Sequence, residues 1–349
     1  MRATRVLVAL VLLGVIVAAG WKAFTLYRGR GGRGTPTTVA PAPSASASPN
    51  TIVDPLASDR PVLLDPARSV GSNWVTARPG FQFSRPPSER GGENPCALPE
   101  VDTSAFEPWE KLVKGRFTLP REGALDASGR FDLVIHLLGD ELARRELAES
   151  RQNFVLYSLT LDVGENYAAL FSGTGFYGQI VHQVEEALGK RRGTPAHVRN
   201  VALSAWSGGY MGVLAALAQP AAKGVDAVIL IDGMHGPRDA LAHQLAPFID
   251  YARRASTGER FMLVTHSSID PPDFASTTES AHLLISQLGG RPELVQRKDR
   301  YGLELVEYFT RGDFHVRGYA GNDKADHCAQ VTLLRDAYLA LGRRWKSAR

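Results

Sequence analysis

Between residues 131 and 266 the hydrophobic positions fall into short unbroken runs separated by amphipathic stretches. Phe131–Gly139, Phe154–Thr160, Val198–Ser204, Asp226–Ile231 and Arg260–His266 are such runs, closed by Gly, Asp or Ser or followed by a polar stretch. Apolar runs of this length read as strands buried on both faces. Between the second and third, residues 175–188 put Ile180, Val181, Val184 and Leu188 on one helical face. Further helices are predicted from Gly208 to Gln219, near 238–254, over 277–288 and after Asp326, with strand-like segments within 303–320. This alternation predicts an α/β fold: a doubly wound, mostly parallel sheet with helices on both faces. No internal repeat is visible. Residues 232–259 leave room for one helix and its loops, so no large cap domain is expected there.

The amino-terminal pattern differs. An uninterrupted apolar run from Val6 to Trp21 follows Arg2 and Arg5, as in a secretory signal or an uncleaved membrane anchor. Residues 1–28 are therefore expected to be a signal peptide or anchor, placing the rest outside the cytoplasm, either secreted or membrane-tethered. Residues 29–95 are rich in Pro, Ser, Gly and Arg, have little to bury, and read as a tether. An ordered domain is expected over 96–349.

Charge supports this division. The chain of 349 residues has a net charge of +4, but Arg2, Arg5, Lys22, Arg28, Arg30 and Arg33 carry all of that excess. Without them 34 basic residues face 36 acidic ones, so no nucleic-acid partner is expected. In an exported chain the two cysteines, Cys96 and Cys328, could form a disulfide or remain as buried thiols.

The chemistry centres on Ala205-Trp206-Ser207-Gly208-Gly209, where a strand pattern passes directly into a helix pattern. So sharp a turn strains its central residue and tolerates only small neighbours. Such a turn lifts Ser207 Oγ clear of the sheet. In a sheet of this kind ligands gather at the carboxyl ends of the strands. Asp232 closes the next strand, and His327 lies beyond the last strand-like segment.

The elbow and the order Ser207, Asp232, His327 resemble the α/β-hydrolase superfamily, over residues 100–349. The resemblance implies a serine hydrolase acting through an acyl-enzyme on an ester, or less readily an amide, with Ser207 as nucleophile and His327 as base. The carboxylate would orient the imidazole. Gly208 would supply one oxyanion donor, and Leu137 or Leu138 the other. Two positions depart from the usual pattern: Ala205 stands where glycine is commoner, and His136-Leu-Leu-Gly139 where His-Gly is.

Each role has a rival. Asp270, in His266-Ser-Ser-Ile-Asp270, lies in a loop resembling one where many of these enzymes carry their acid; Asp232 is preferred because a strand tip needs no loop excursion. His315 is the alternative base. Trp206 and Tyr210 flank the serine and either wall a substrate pocket or pack in the core. A metal site built from His136, His235 and His266 is conceivable, but no ligand spacing supports it, so neither metal nor other cofactor is expected. The partners expected are a small-molecule or envelope-polymer ester and, through the leader, a membrane. A non-catalytic envelope-binding or scaffolding domain of the same fold is the competing reading.

Overall fold

The computed structural model describes Cys96, residues 100–173 and residues 175–347. The expected leader (1–28) and nearly all of the tether (29–95) lie outside the described residues. Among those described, no helix is long and apolar enough to cross a membrane. Among the described residues, contacts group those up to Asp270 with those from Ala275 onward as one unit, and Pro271–Phe274 fall outside it.

Among the described residues, ten strands form one sheet. They are β1 (Glu110–Lys111), β2 (Arg116–Thr118), β3 (Arg130–Leu137), β4 (Val155–Leu159) and β5 (His197–Trp206). There follow β6 (Ala227–Ile231), β7 (Phe261–His266), β8 (Glu293–Lys298), β9 (Glu304–Arg311) and β10 (Phe314–Tyr319). Their spatial order is β1-β2-β4-β3-β5-β6-β7-β10-β9-β8. The six strands from β4 to β10 in that order run parallel, and both margins are antiparallel. The mostly parallel α/β sheet expected from the hydrophobic runs is present.

The helices are α1 (Asp140–Ser150), α2 (Gly164–Ser172), α3 (Phe176–Arg192), α4 (Tyr210–Leu217) and α5 (Leu241–Gln244). Later come α6 (Ala246–Ser256), α7 (Thr277–Gln287), α8 (Lys324–Ala329) and α9 (Leu334–Ser347). From β3 the chain winds outward to β4, then crosses back over β3 to β5 and continues the other way. Because parallel crossovers are right-handed, this reversal puts successive helices on opposite faces. The core follows. Leu133 and Ile135 of β3 pack with Tyr167, Val184, Val213, Phe248 and Leu284 of α2, α3, α4, α6 and α7. Val134, pointing the other way, packs with Leu147 of α1 and with Tyr338 and Trp345 of α9. The period of two along β3 thus feeds two cores.

Several elements differ from expectation. The helix predicted near 238–254 is broken into α5 and α6, with Pro247 in the first turn of α6. Proline has no N–H to donate and is tolerated only at a helix start, so a new helix begins there. Neither helix amounts to a cap domain. The strands β1, β2 and β8 and the helices α1 and α2 were not anticipated. In β8 only Val295 is buried, so the strand offers no apolar run to read.

Cys96 and Cys328 are joined, their Cα atoms 5.0 Å apart across 232 residues of sequence. Bridges closing long loops restrict the unfolded chain most. The double substitution Cys96→Ser with Cys328→Ser is expected to lower unfolding free energy by about 2–4 kcal/mol in urea titrations. An unchanged midpoint would show that the bridge contributes nothing.

Candidate active site

The winding direction reverses between β3 and β5, and the crevice at such a point is where open α/β sheets bind ligands. β5 runs to Trp206, and Ser207 follows with φ 50°, opening a single 3-10 turn (Ser207–Gly209) that leads into α4. The need for small neighbours is visible. Ala205 is fully buried. A Cβ on Gly209 would stand 2.3 Å from the carbonyl oxygen of Leu137, so no side chain fits there. Serine at positive φ is itself strained by on the order of 1–3 kcal/mol, held by the packing around it.

Trp206 pairs in register with Ile231 on β6. Ser207 and Asp232 are therefore the next residues out on neighbouring strands. Asp232, with φ 44°, is almost wholly buried. One carboxylate oxygen accepts from the Ser267 N–H at 2.8 Å, the Ser267 hydroxyl at 3.1 Å and the Thr277 hydroxyl at 3.0 Å. The other lies 2.7 Å from His327 Nδ1. Burial pushes the Asp232 carboxyl upward, but His327 and the Ser267 donors outweigh it and hold the group below its usual range.

His327 sits within α8, whose start is fixed by reciprocal bonds between Asp323 and Asp326. The Trp206 indole stacks on its imidazole, with centroids 5.1 Å apart and planes 26° from parallel. The indole N–H also donates to the His327 carbonyl at 3.3 Å. One strand end therefore supplies both the serine and a platform for the histidine. Leu138 (φ 74°) and Met234 (φ 83°) also carry positive φ along this carboxyl edge. Backbone strain is concentrated along the edge that carries Ser207 and Asp232.

The other residues singled out in the sequence are placed as follows. Gly208 lies in the turn after Ser207, among the first N–H groups that have no partner within a helix. The Leu138 N–H donates to the Leu159 carbonyl at 3.0 Å and is not free to bind an oxyanion. Leu137 is buried at the end of β3, its carbonyl against Gly209. Tyr210 is buried as well, and its hydroxyl donates to the His235 carbonyl, so it packs rather than walls a pocket. Asp270 is largely exposed and lies 3.7 Å from Arg238; His327 takes Asp232 as its carboxylate instead. His315 pairs with Leu263, toward the amino end of β7 and away from this edge, and bonds to Thr310.

His136 is a structural group. It pairs in register with Ser204 and bonds to that hydroxyl at 2.9 Å, while its other nitrogen lies 2.8 Å from the Leu138 carbonyl. The His-Leu-Leu-Gly segment therefore keeps its histidine to hold the turn after β3. Nothing in the sequence marked Ser267 and Thr277, which cradle Asp232; short hydroxyl residues carry no periodic signal.

No protein-family model matches the sequence, and no curated protein matches it. Among solved structures the chain is similar to the BES protein from Bacillus cereus, at TM-score 0.41 and 11% identity, over 70% of this chain and 97% of that one. It is also similar to ferric enterobactin esterase from Salmonella typhimurium, at TM-score 0.38 and 14% identity, over 67% of this chain and 55% of that one. Est1E from Butyrivibrio proteoclasticus matches at TM-score 0.36 and 11% identity, over 69% of this chain and 99% of that one. The strand order and register above define this fold independently of these distant likenesses.

Burial lowers the His136 pKa from 6.5 to about 4. The folded chain therefore refuses a proton that the unfolded chain accepts. The associated stability is complete above pH 6.5 and is lost as pH falls toward 4, to the order of 3 kcal/mol. Replacing His136 with Gln is expected to flatten the stability profile across that window, as read by thermal melts at stepped pH. An unaltered slope would rule out His136 as its source.

Proposed function

We propose that this chain is a serine hydrolase of the α/β-hydrolase type that cleaves esters through an acyl-enzyme, with amides as poorer substrates. The observation that carries the reading is the 2.7 Å bond from His327 Nδ1 to buried Asp232, formed at the carboxyl edge beside the strained Ser207.

A serine hydroxyl is a weak nucleophile until a base takes its proton. Asp232 can only accept, so its bond fixes the tautomer with the proton on Nδ1 and leaves Nε2 as the basic atom. Ser207 Oγ attacks the ester carbonyl carbon and its proton passes to His327 Nε2. The tetrahedral oxyanion is met by the Gly208 N–H at the start of the turn. Collapse breaks the bond to the alcohol oxygen, which leaves with the proton from Nε2. Water then repeats the sequence on the acyl-enzyme and frees the acid. Throughout, Asp232 remains ionised and stabilises the imidazolium, aided by its three other donors.

The connection between β6 and β7 holds only α5 and α6, so this side of the site has no cap domain over it. That suits an ester carried on a bulky or surface-bound molecule. An extracytoplasmic location, tethered or secreted, follows from the apolar leader, and the Cys96–Cys328 bridge accords with it.

A fluorophosphonate probe is expected to label the wild-type chain and not Ser207→Ala. On p-nitrophenyl esters, Asp232→Asn is expected to lower kcat by about 10^4-fold, while Asp270→Asn leaves it unchanged. A folded wild type that neither labels nor turns over would overturn the reading.

A further inference from the structure

Beyond the triad, one cluster of side chains has no part in that chemistry. His266 ends β7, Gly318 pairs with it on β10, and Glu307 pairs with Gly318 on β9. These three residues are in register across adjacent strands, so His266 and Glu307 stand on one face of the sheet with the glycine between them. Adjacent strands are about 4.8 Å apart, and the two side chains close the remaining gap by leaning over the glycine. His282 comes down from α7 and lies at the same point. Its Nε2 is 2.6 Å from Glu307 Oε1, and His266 Nε2 is 3.0 Å from that same oxygen. The imidazoles meet edge to face, 6.0 Å between centroids.

Gly318 is what makes the cluster possible. A Cβ there would lie 2.5 Å from Glu307 Cγ and 2.6 Å from His266 Nε2. Any side chain at this position would fill the space in which the three polar groups meet.

The hydrogen bonds behind His266 point the same way. Thr278 Oγ1 has one proton, and the Ser267 carbonyl, 2.9 Å away, can only accept it. Oγ1 then accepts from His266 Nδ1 at 3.0 Å, with the Ser267 carbonyl a second acceptor at 3.3 Å. With Nδ1 engaged in this way, His266 presents Nε2 to the carboxylate. That nitrogen is buried and, despite its distance from Glu307, has no hydrogen-bond geometry to any partner. An imidazole oriented through its other N–H by a hydroxyl or carbonyl is the arrangement that supports metal-binding histidines.

We propose that His266 Nε2, His282 Nε2 and a Glu307 carboxylate oxygen bind one divalent cation of the zinc class. All three ligand atoms lie within 4.8 Å of one another, and two imidazoles with one carboxylate form a donor set that such cations favour. His282 is only partly buried, which leaves room for a water as fourth ligand. Of the histidines weighed in the sequence as a conceivable metal site, His136 and His235 take no part; His266 alone is shared.

The site is structural in position, and it is linked to the acid of the triad. Ser267, next to His266, donates twice to Asp232, and Thr277, next to Thr278, donates once. A cation that fixes β7 and α7 to β9 fixes both halves of that cradle. His266 and Thr278 are positioning residues in this sense and touch no reacting atom.

The experiment is zinc binding to the untagged, chelator-treated chain, by competition with a chromophoric indicator and by metal analysis after dialysis. One zinc per chain is expected for the wild type, for Ser207→Ala and for His327→Ala, which excludes binding at the triad. His282→Ala, at a partly buried helical position, is expected to weaken binding by more than about 100-fold, and Thr278→Val by about 10- to 100-fold. Zinc is expected to raise the melting temperature of the wild type and not that of His282→Ala. Cobalt in the same site is expected to give the visible absorption of a low-coordinate ion. Equal zinc affinity in wild type and His282→Ala, or no stoichiometric binding by the folded wild type, would overturn the proposal. Neither result depends on esterase activity.

Discussion

The carboxylate of Asp232 is the constraint around which the carboxyl edge of the sheet is arranged. A buried, unpaired carboxylate is strongly unfavourable, and the penalty is relieved only if donors converge on it. Here three do so from the segment after β7 and the start of α7, and the fourth is the His327 imidazole. Each donor comes from a different backbone group or side chain, so the carboxylate fixes the relative places of β6, β7, α7 and α8. Moving any of them leaves a buried charge short of a partner. Trp206 adds a steric clamp, since its ring cannot leave β5 without uncovering the histidine.

The strain at Ser207, Asp232 and Met234 is the counterpart of that arrangement. Non-glycine residues adopt positive φ only where the surroundings leave no alternative. Two well-packed cores, one on each side of the sheet, supply that rigidity. A floppy scaffold would let the strand ends relax, and the serine would sink back toward the sheet.

Much of this was legible in the sequence because it rests on local pattern. The central strands are buried on both faces, and their continuous Val, Ile and Leu runs announce them. The elbow could be read because its small residues answer a steric need within five positions. Asp232 and His327 could be placed because each follows a strand-like segment. The margins were not legible: β8 buries one side chain, and β1 has two residues. Long-range register was beyond reach as well. That His266, Gly318 and Glu307 stand abreast is fixed by pairings between β7, β10 and β9, which no spacing along the chain encodes. The same holds for Leu138, whose N–H goes to a strand read correctly but whose partner depends on how the turn closes.

The bridge between Cys96 and Cys328 also determines how the chain carries mechanical load. A pull applied between the two ends of the polypeptide follows the shortest covalent path, which passes through the sulfur–sulfur bond. The residues between the two cysteines then hang off that path as a slack loop, with Ser207 and Asp232 deep inside it and His327 one position from its exit. Among the described residues, only the stretch after Cys328, chiefly α9, can be drawn out. Such a pull would strip the last helix before it disturbed the strand ends where Ser207 stands.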